Sequence, residues 1–102
     1  MLHEATKNDV LAALEKKEDL NLVVFYAEWC GPCRMYKSSL EELATKNNVN
    51  IYRVNIDTNK EYAQEAGVSS IPFTKVYKKG ELVGETVGFK PYALLKDEVE
   101  AL

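Results

Sequence analysis

Cys30 and Cys33 are the only cysteines of the chain, and they stand three positions apart in Trp29-Cys30-Gly31-Pro32-Cys33. A pair at this spacing can close into a disulfide and reopen to a dithiol, carrying two electrons without a metal or an organic cofactor. The thiolate is the reactive form, so something must favour it over the thiol. A helix N-terminus does so with unpaired N–H groups and the positive end of its dipole. Residues i and i+3 of a helix share a face, which lets the two sulfurs bond with little rearrangement. Cys30, at the start of such a helix, is expected to be the exposed nucleophile that attacks a substrate disulfide. Cys33, one turn deeper, is expected to resolve the mixed disulfide by attacking the Cys30 sulfur. Gly31 and Pro32 shape the turn and bring no charge. The rival chemistry is half a zinc site. Tetrahedral zinc takes four ligands, whereas the chain offers these two thiols and His3, so zinc would call for a second copy. No metal is expected.

The flanks fit the redox reading. Leu20 to Ala27 is apolar on both faces, as in a central strand covered on two sides. Pro32 suits a first helical turn, and Met35, Tyr36, Leu40, Leu43 and Ala44 give the segment to Lys46 an apolar stripe. Leu2 to Ala5 reads as a short strand. Thr6 with Asp9 reads as a capping box before Val10, Leu11, Ala13 and Leu14. Ile51 to Ile56 is a third strand. Thr58 with Glu61 suggests a second capping box, opening a helix that Gly67 ends. Phe73 to Lys78 and Glu81 to Thr86 form a hairpin about Lys79-Gly80. Gly84 marks a bulge or a close approach. Pro91 opens a last helix with the stripe Tyr92, Leu95, Val99 and Leu102. The order βαβαβα followed by ββα predicts an α/β fold with a mixed sheet and helices on both faces.

The totals exclude other classes. At 102 residues the chain is expected to be one domain, residues 1–102. Thirteen basic and sixteen acidic residues leave a net charge of −3, without the basic stripe that nucleic-acid binding needs. No apolar run is long enough to span a membrane, and Met1 to Thr6 has no basic-then-apolar pattern of a leader. Two cysteines make no disulfide scaffold. A reducing cytoplasm is therefore the expected compartment.

The sequence resembles the thioredoxin family over nearly its whole length. The resemblance rests on Phe25, Ala27-Glu28-Trp29-Cys30-Gly31-Pro32-Cys33-Arg34-Met35, Asn55-Ile56-Asp57, Gly67-Val68, Ile71-Pro72, Gly80 and Val87-Gly88. It implies a thioredoxin fold: a five-stranded mixed central sheet flanked by four helices. It also implies a cis Ile71–Pro72 bond, with Pro72 packed against the sulfurs and Ile71 hydrogen-bonding substrate backbone. The implied docking surface is Trp29, Gly31, Pro32, Ile71, Pro72, Val87, Gly88 and Phe89; ordinary loop packing is the competing reading of Val87 and Phe89. The implied activity is reduction of protein disulfides, with a thioredoxin reductase restoring the dithiol. A monomer acting on disulfide-containing proteins is expected, with no nucleic acid or membrane partner. Two alternatives stay open: an oxidase or isomerase of shifted potential, and a binding subunit that uses the same apolar face without turnover.

The chain departs from the family in places. Val24 stands where the family usually has a buried aspartate, read there as proton acceptor for the resolving cysteine. Arg53 aligns with a lysine that accompanies that aspartate and is read here as a plain surface arginine, the alternatives being that it snorkels to solvent or pairs with a surface Glu. Glu28 is expected to face solvent. Ser38 replaces a kink-forming proline, Tyr26 a common Trp, and Phe73 a common Thr. Lys75 falls inside a strand, at an edge or under a helix end.

Overall fold

Strand β2 (Asn21–Tyr26) is the axis of the fold, with all six residues buried. The structure is a computed structural model and describes residues 1–102. β2 lies at the centre of a five-stranded sheet ordered β1-β3-β2-β4-β5. Around it in chain order are β1 (Leu2–Glu4), α1 (Lys7–Glu15), α2 (Gly31–Lys46), β3 (Asn50–Asn55), α3 (Lys60–Glu65), β4 (Phe73–Lys78), β5 (Glu81–Val87) and α4 (Tyr92–Glu100). β1 and β2 run parallel to β3, while β4 is antiparallel to both β2 and β5. The expected mixed α/β sheet with four helices is what forms.

Alternation along β2 splits the core in two. Leu22 and Val24 pack with Tyr36, Leu40 and Leu43 of α2 and with Leu95 and Val99 of α4. Val23 and Phe25 face the other way, toward Val10 of α1 and Ala63 of α3. A strand without a polar face is thus buried on both sides, which fixes its C-terminal end and whatever follows it.

Local signals explain most boundaries. The Thr6 hydroxyl accepts from the Asp9 N–H at 3.3 Å and the Asp9 carboxylate accepts from the Thr6 N–H at 2.9 Å, the full capping box. Thr6→Ala is expected to lower stability by about 1 kcal/mol, measured as a shift of the urea midpoint. Gly67 has φ 73°, and Lys79 and Gly80 both have positive φ, as a tight two-residue hairpin turn requires. Pairing passes from Val76↔Gly84 to Tyr77↔Leu82 and leaves Val83 as a bulge. A Cβ on Gly84 would lie 2.7 Å from Leu102 Cδ1, so bulge and close approach coincide there.

Several expectations are corrected. Thr58 caps nothing: α3 starts after Asn59 with no side-chain cap, because the Asn59 amide donates back to the Asn55 carbonyl at 3.1 Å. Met35 and Leu11 leave their apolar stripes and stand 61% and 46% exposed. Ser38 bonds the Met35 carbonyl at 3.1 Å inside an unbroken α2. Lys75 lies on inner strand β4 and reaches Glu85 of edge strand β5 at 3.4 Å. Arg53 is no surface arginine. It is 6% exposed, and its guanidinium lies 3.7 Å from the centre of the Tyr26 ring.

Candidate active site

β2 ends at Tyr26 and α2 begins at Gly31, so Ala27 to Cys30 span the crossing from buried sheet to helix N-terminus. Cys30 is the N-cap of α2, with extended backbone at φ −88° and ψ 111°. Its sulfur accepts the Cys33 N–H at 3.2 Å and its carbonyl accepts the Arg34 N–H at 3.1 Å. A cysteine sulfur thus stands where a Ser or Asp oxygen would usually cap a helix, facing the unpaired N–H groups. The same donors favour a thiolate there. Pro32 sits in the first turn, where no N–H is missed.

Cys30 and Cys33 are joined as a disulfide, with Cα atoms 5.2 Å apart. They pack with Tyr26 and Ala27, and Ile56 and Ile71 close the cluster from the sides. Cys30 is 6% exposed and Cys33 3%. The expected exposure of Cys30 is therefore not found in this disulfide form: each sulfur covers the other, and the cluster covers both. The helix N-terminus, not solvent exposure, distinguishes Cys30.

The Ile71–Pro72 bond is cis. The buried Pro72 follows the half-buried Ile71, which touches the cysteine cluster. The Pro72 carbonyl accepts the Gly88 N–H at 2.8 Å. That bond ties the Ile71-Pro72 loop to Val87-Gly88-Phe89, where Gly88 takes φ 94° with open space around it. Beyond it the half-hidden Phe89 ring meets Tyr36 of α2 edge-on at 6.3 Å. Trp29, Val87 and Phe89 are 67%, 53% and 38% exposed. Phe89 thus packs in part on Tyr36, while Val87 stays more open to solvent. Together with the exposed Met35 they leave apolar surface around the cysteine pair.

Three parts of the site are not evident from sequence. Asp57 accepts the Trp29 indole N–H at 2.9 Å across a gap of 28 residues. Asp57→Ala is expected to free the indole and lower kcat/KM for protein disulfides about three- to tenfold, the loss of one hydrogen bond; thermal unfolding should stay within a degree or two. Lys90, 9% exposed, donates to the Val87 carbonyl at 2.9 Å and holds the far side of the Val87-Gly88-Phe89 segment. Tyr36, wholly buried, shares a 2.9 Å hydrogen bond with Thr74, and burial pushes its phenol up to about 12. The Asp57 and Tyr36 bonds join residues distant in sequence, whereas Lys90 reaches back only three residues.

No three His, Cys, Asp or Glu side chains group as a metal site, and His3 stacks on Tyr52 with ring centres 4.8 Å apart. The largest cleft, about 570 Å³, lies between the starts of α1 and α3, lined by Thr6, Asn8, Asp57 and Lys60 among others. Neither cysteine lines it; both are buried in the cluster with Tyr26 and Ala27. A flat apolar rim suits a protein substrate better than an enclosed small molecule.

Comparison with known proteins agrees with this geometry. The Thioredoxin family model matches residues 1–101. A thioredoxin of Streptomyces clavuligerus is 43% identical over 96 residues, covering 93% of this chain and 90% of that one. A thioredoxin of Bacillus subtilis is 42% identical over 87 residues, 83% and 84% of the two chains. The solved thioredoxin of Fasciola hepatica superposes with a TM-score of 0.87 at 29% identity, covering 99% of this chain and 98% of that one. The reduced Schistosoma mansoni thioredoxin pre-protein gives 0.87 at 32% identity, over 98% and 96%. With a capped helix presenting a paired Cys-x-x-C at the end of a central strand, this chain belongs to the thioredoxin family, and it is a thiol-disulfide oxidoreductase that reduces protein disulfides by dithiol/disulfide exchange.

Proposed function

We propose that the catalytic cycle divides between the two cysteines, with Cys30 as nucleophile and Cys33 as resolving thiol. The Cys30 thiolate attacks one sulfur of the substrate disulfide. A bond forms between Cys30 and that sulfur, the substrate bond breaks, and the leaving thiolate takes a proton. Cys33, having lost its own proton, attacks the Cys30 sulfur. The Cys30–Cys33 bond forms and the second substrate sulfur leaves as a thiolate. The substrate gains two electrons and two protons and the enzyme ends as the disulfide. What supports this order is the cap: Cys30 holds the N-cap position of α2 and its sulfur already accepts the Cys33 N–H.

Docking falls to the apolar rim. Trp29, Gly31, Pro32, Val87, Gly88 and Phe89 meet the substrate surface, the Ile71 backbone pairs with the substrate chain, and Pro72 backs the sulfurs. The partners are disulfide-containing proteins and a thioredoxin reductase. The chain works as one domain and as a monomer in a reducing cytoplasm. No helix is long and apolar enough to cross a membrane.

The test couples the protein to an NADPH-linked thioredoxin reductase, with insulin as substrate. Continuous NADPH oxidation that needs both proteins is expected. Equilibration with reduced and oxidised glutathione completes it: a reductase leaves its own pair mostly oxidised, whereas a pair held mostly reduced would mark an oxidase and overturn the reading.

A further inference from the structure

Tyr36 is the one member of the apolar cluster between the sheet and helices α2 and α4 whose side chain carries a polar atom. A buried hydroxyl costs stability unless it is hydrogen-bonded. Its partner is the Thr74 hydroxyl at 2.9 Å, itself wholly buried on β4. A leucine or a phenylalanine would fill this part of the core without that demand, and the dithiol cycle does not use the phenol. What the phenol gains here is a set of contacts that an apolar side chain would not make together.

Tyr36 reaches both arms of the docking rim from the helix that carries the cysteines. It lies three residues past Cys33, on the same face of α2. Through Thr74 it holds β4 two residues beyond Pro72. Through its ring it meets Phe89 edge-on, with ring centres 6.3 Å apart and planes at 75°. The two arms are joined by the Gly88 N–H, which donates to the Pro72 carbonyl at 2.8 Å. The contacts therefore close a circuit. It runs from α2 to β4 at Thr74, back along the chain to Pro72, across to Gly88, and from Phe89 to α2 again. Tyr36, Thr74 and Pro72 are buried, and Phe89 carries the outer end of the circuit to the surface.

We propose that Tyr36 is a positioning residue that sets the preference for protein over small-molecule disulfides, by holding the Pro72 and Phe89 arms of the rim in one arrangement about the cysteine helix. The reasoning rests on the docking role given above to that rim. A protein disulfide is delivered to Cys30 by the surface around it, so a rim already in its bound arrangement takes it up without an ordering cost. A small disulfide touches little beyond the sulfur it offers and gains nothing from the rim. An edge-on aromatic pair and a buried hydrogen bond restrict Phe89 and Thr74 to one geometry. Tyr36 is buried and does not touch the substrate, so its loss is felt in binding and not in the exchange of sulfurs.

The experiment follows single turnovers of the fully reduced protein, without a reductase, by alkylating the remaining thiols and counting them by mass spectrometry. One substrate is insulin; the other is bis(hydroxyethyl) disulfide, uncharged and too small to span the rim. Tyr36→Leu removes both contacts. It should raise the insulin concentration for half-maximal rate about three- to tenfold and leave the limiting rate near the wild-type value. Its rate with bis(hydroxyethyl) disulfide should match the wild type. Tyr36→Phe keeps the ring contact and loses the hydrogen bond, so its insulin shift should be smaller, about twofold. Thr74→Val should match it, and the double variant, with no buried hydroxyl left unpaired, should be no worse than either. Unchanged insulin kinetics in Tyr36→Leu, or an equal loss toward both substrates, would overturn the proposal. Should Tyr36→Leu fail to fold, Tyr36→Phe and Thr74→Val decide by the same comparison. Val87→Asp, at an exposed position, tests the rim itself. Flat insulin kinetics there would defeat the docking role, whereas a loss there beside unchanged Tyr36 variants would defeat only the part given to Tyr36.

Discussion

Cys30→Ser is expected to abolish protein-disulfide reduction, with a loss on the order of a thousandfold or more, while the fold persists. The serine oxygen can still accept the Cys33 N–H as an N-cap, so α2 keeps its start. It cannot ionise at neutral pH, and it cannot carry the mixed disulfide. Cys33 cannot substitute, since it sits inside the first turn and not at the N-cap. The check is the rate of insulin reduction by dithiothreitol, together with circular dichroism to verify folding. The same variant separates turnover from mere association. A protein that served only as a binding subunit would keep its function with both cysteines replaced by serine.

Val24→Asp carries the second large expectation, in two opposing parts. Val24 is 1% exposed and packed among Leu22, Tyr36 and Leu40. A carboxylate there loses its hydration, at a cost of about 2–4 kcal/mol of stability at pH 7. Burial raises its folded pKa above the unfolded value. The protonated form is then favoured in the native state, so the penalty is smallest below the unfolded carboxyl pKa and grows as pH rises toward the folded one. Chemical denaturation at pH 4 and pH 7 should show the smaller deficit at pH 4. The kinetic part has the opposite sign. If the carboxylate acts there as the family's aspartate is read to act, it should speed loss of the Cys33 proton and so release of the mixed disulfide, several-fold at neutral pH. Single-turnover kinetics that resolve the second step measure this directly. No acceleration would remove the idea that Val24 limits the native chain.

Which features could be read from the sequence follows from how local they are. The largely apolar β2, Pro32 in the first turn of α2, the Thr6–Asp9 box and the left-handed Gly67 each depend on residues within a turn of one another, and all four form. The Cys-x-x-C site is local in the same sense, because one strand end and one helix start create it. The features that sequence reading misplaces depend on contacts across the sheet. Arg53 is buried by Glu4 and Tyr26 on two other strands, and Trp29 is held by Asp57 from beyond β3. Thr58 and Glu61 have the spacing of a capping box, yet Asn59 turns to the Asn55 carbonyl and displaces the start of α3. Cys30 is judged exposed from its place at a helix end, whereas Tyr26, Ala27 and Ile71 close over the oxidised pair.

The division of labour between the thiols has one direct test. Cys33→Ser protein, reduced and mixed with an excess of a disulfide-containing substrate, should accumulate a stable adduct, because nothing remains to attack the Cys30 sulfur. Proteolysis and mass spectrometry should place the substrate sulfur on Cys30. An adduct that fails to form with this variant but forms on Cys33 of the Cys30→Ser protein would contradict the assignment of Cys30 as the attacking thiol.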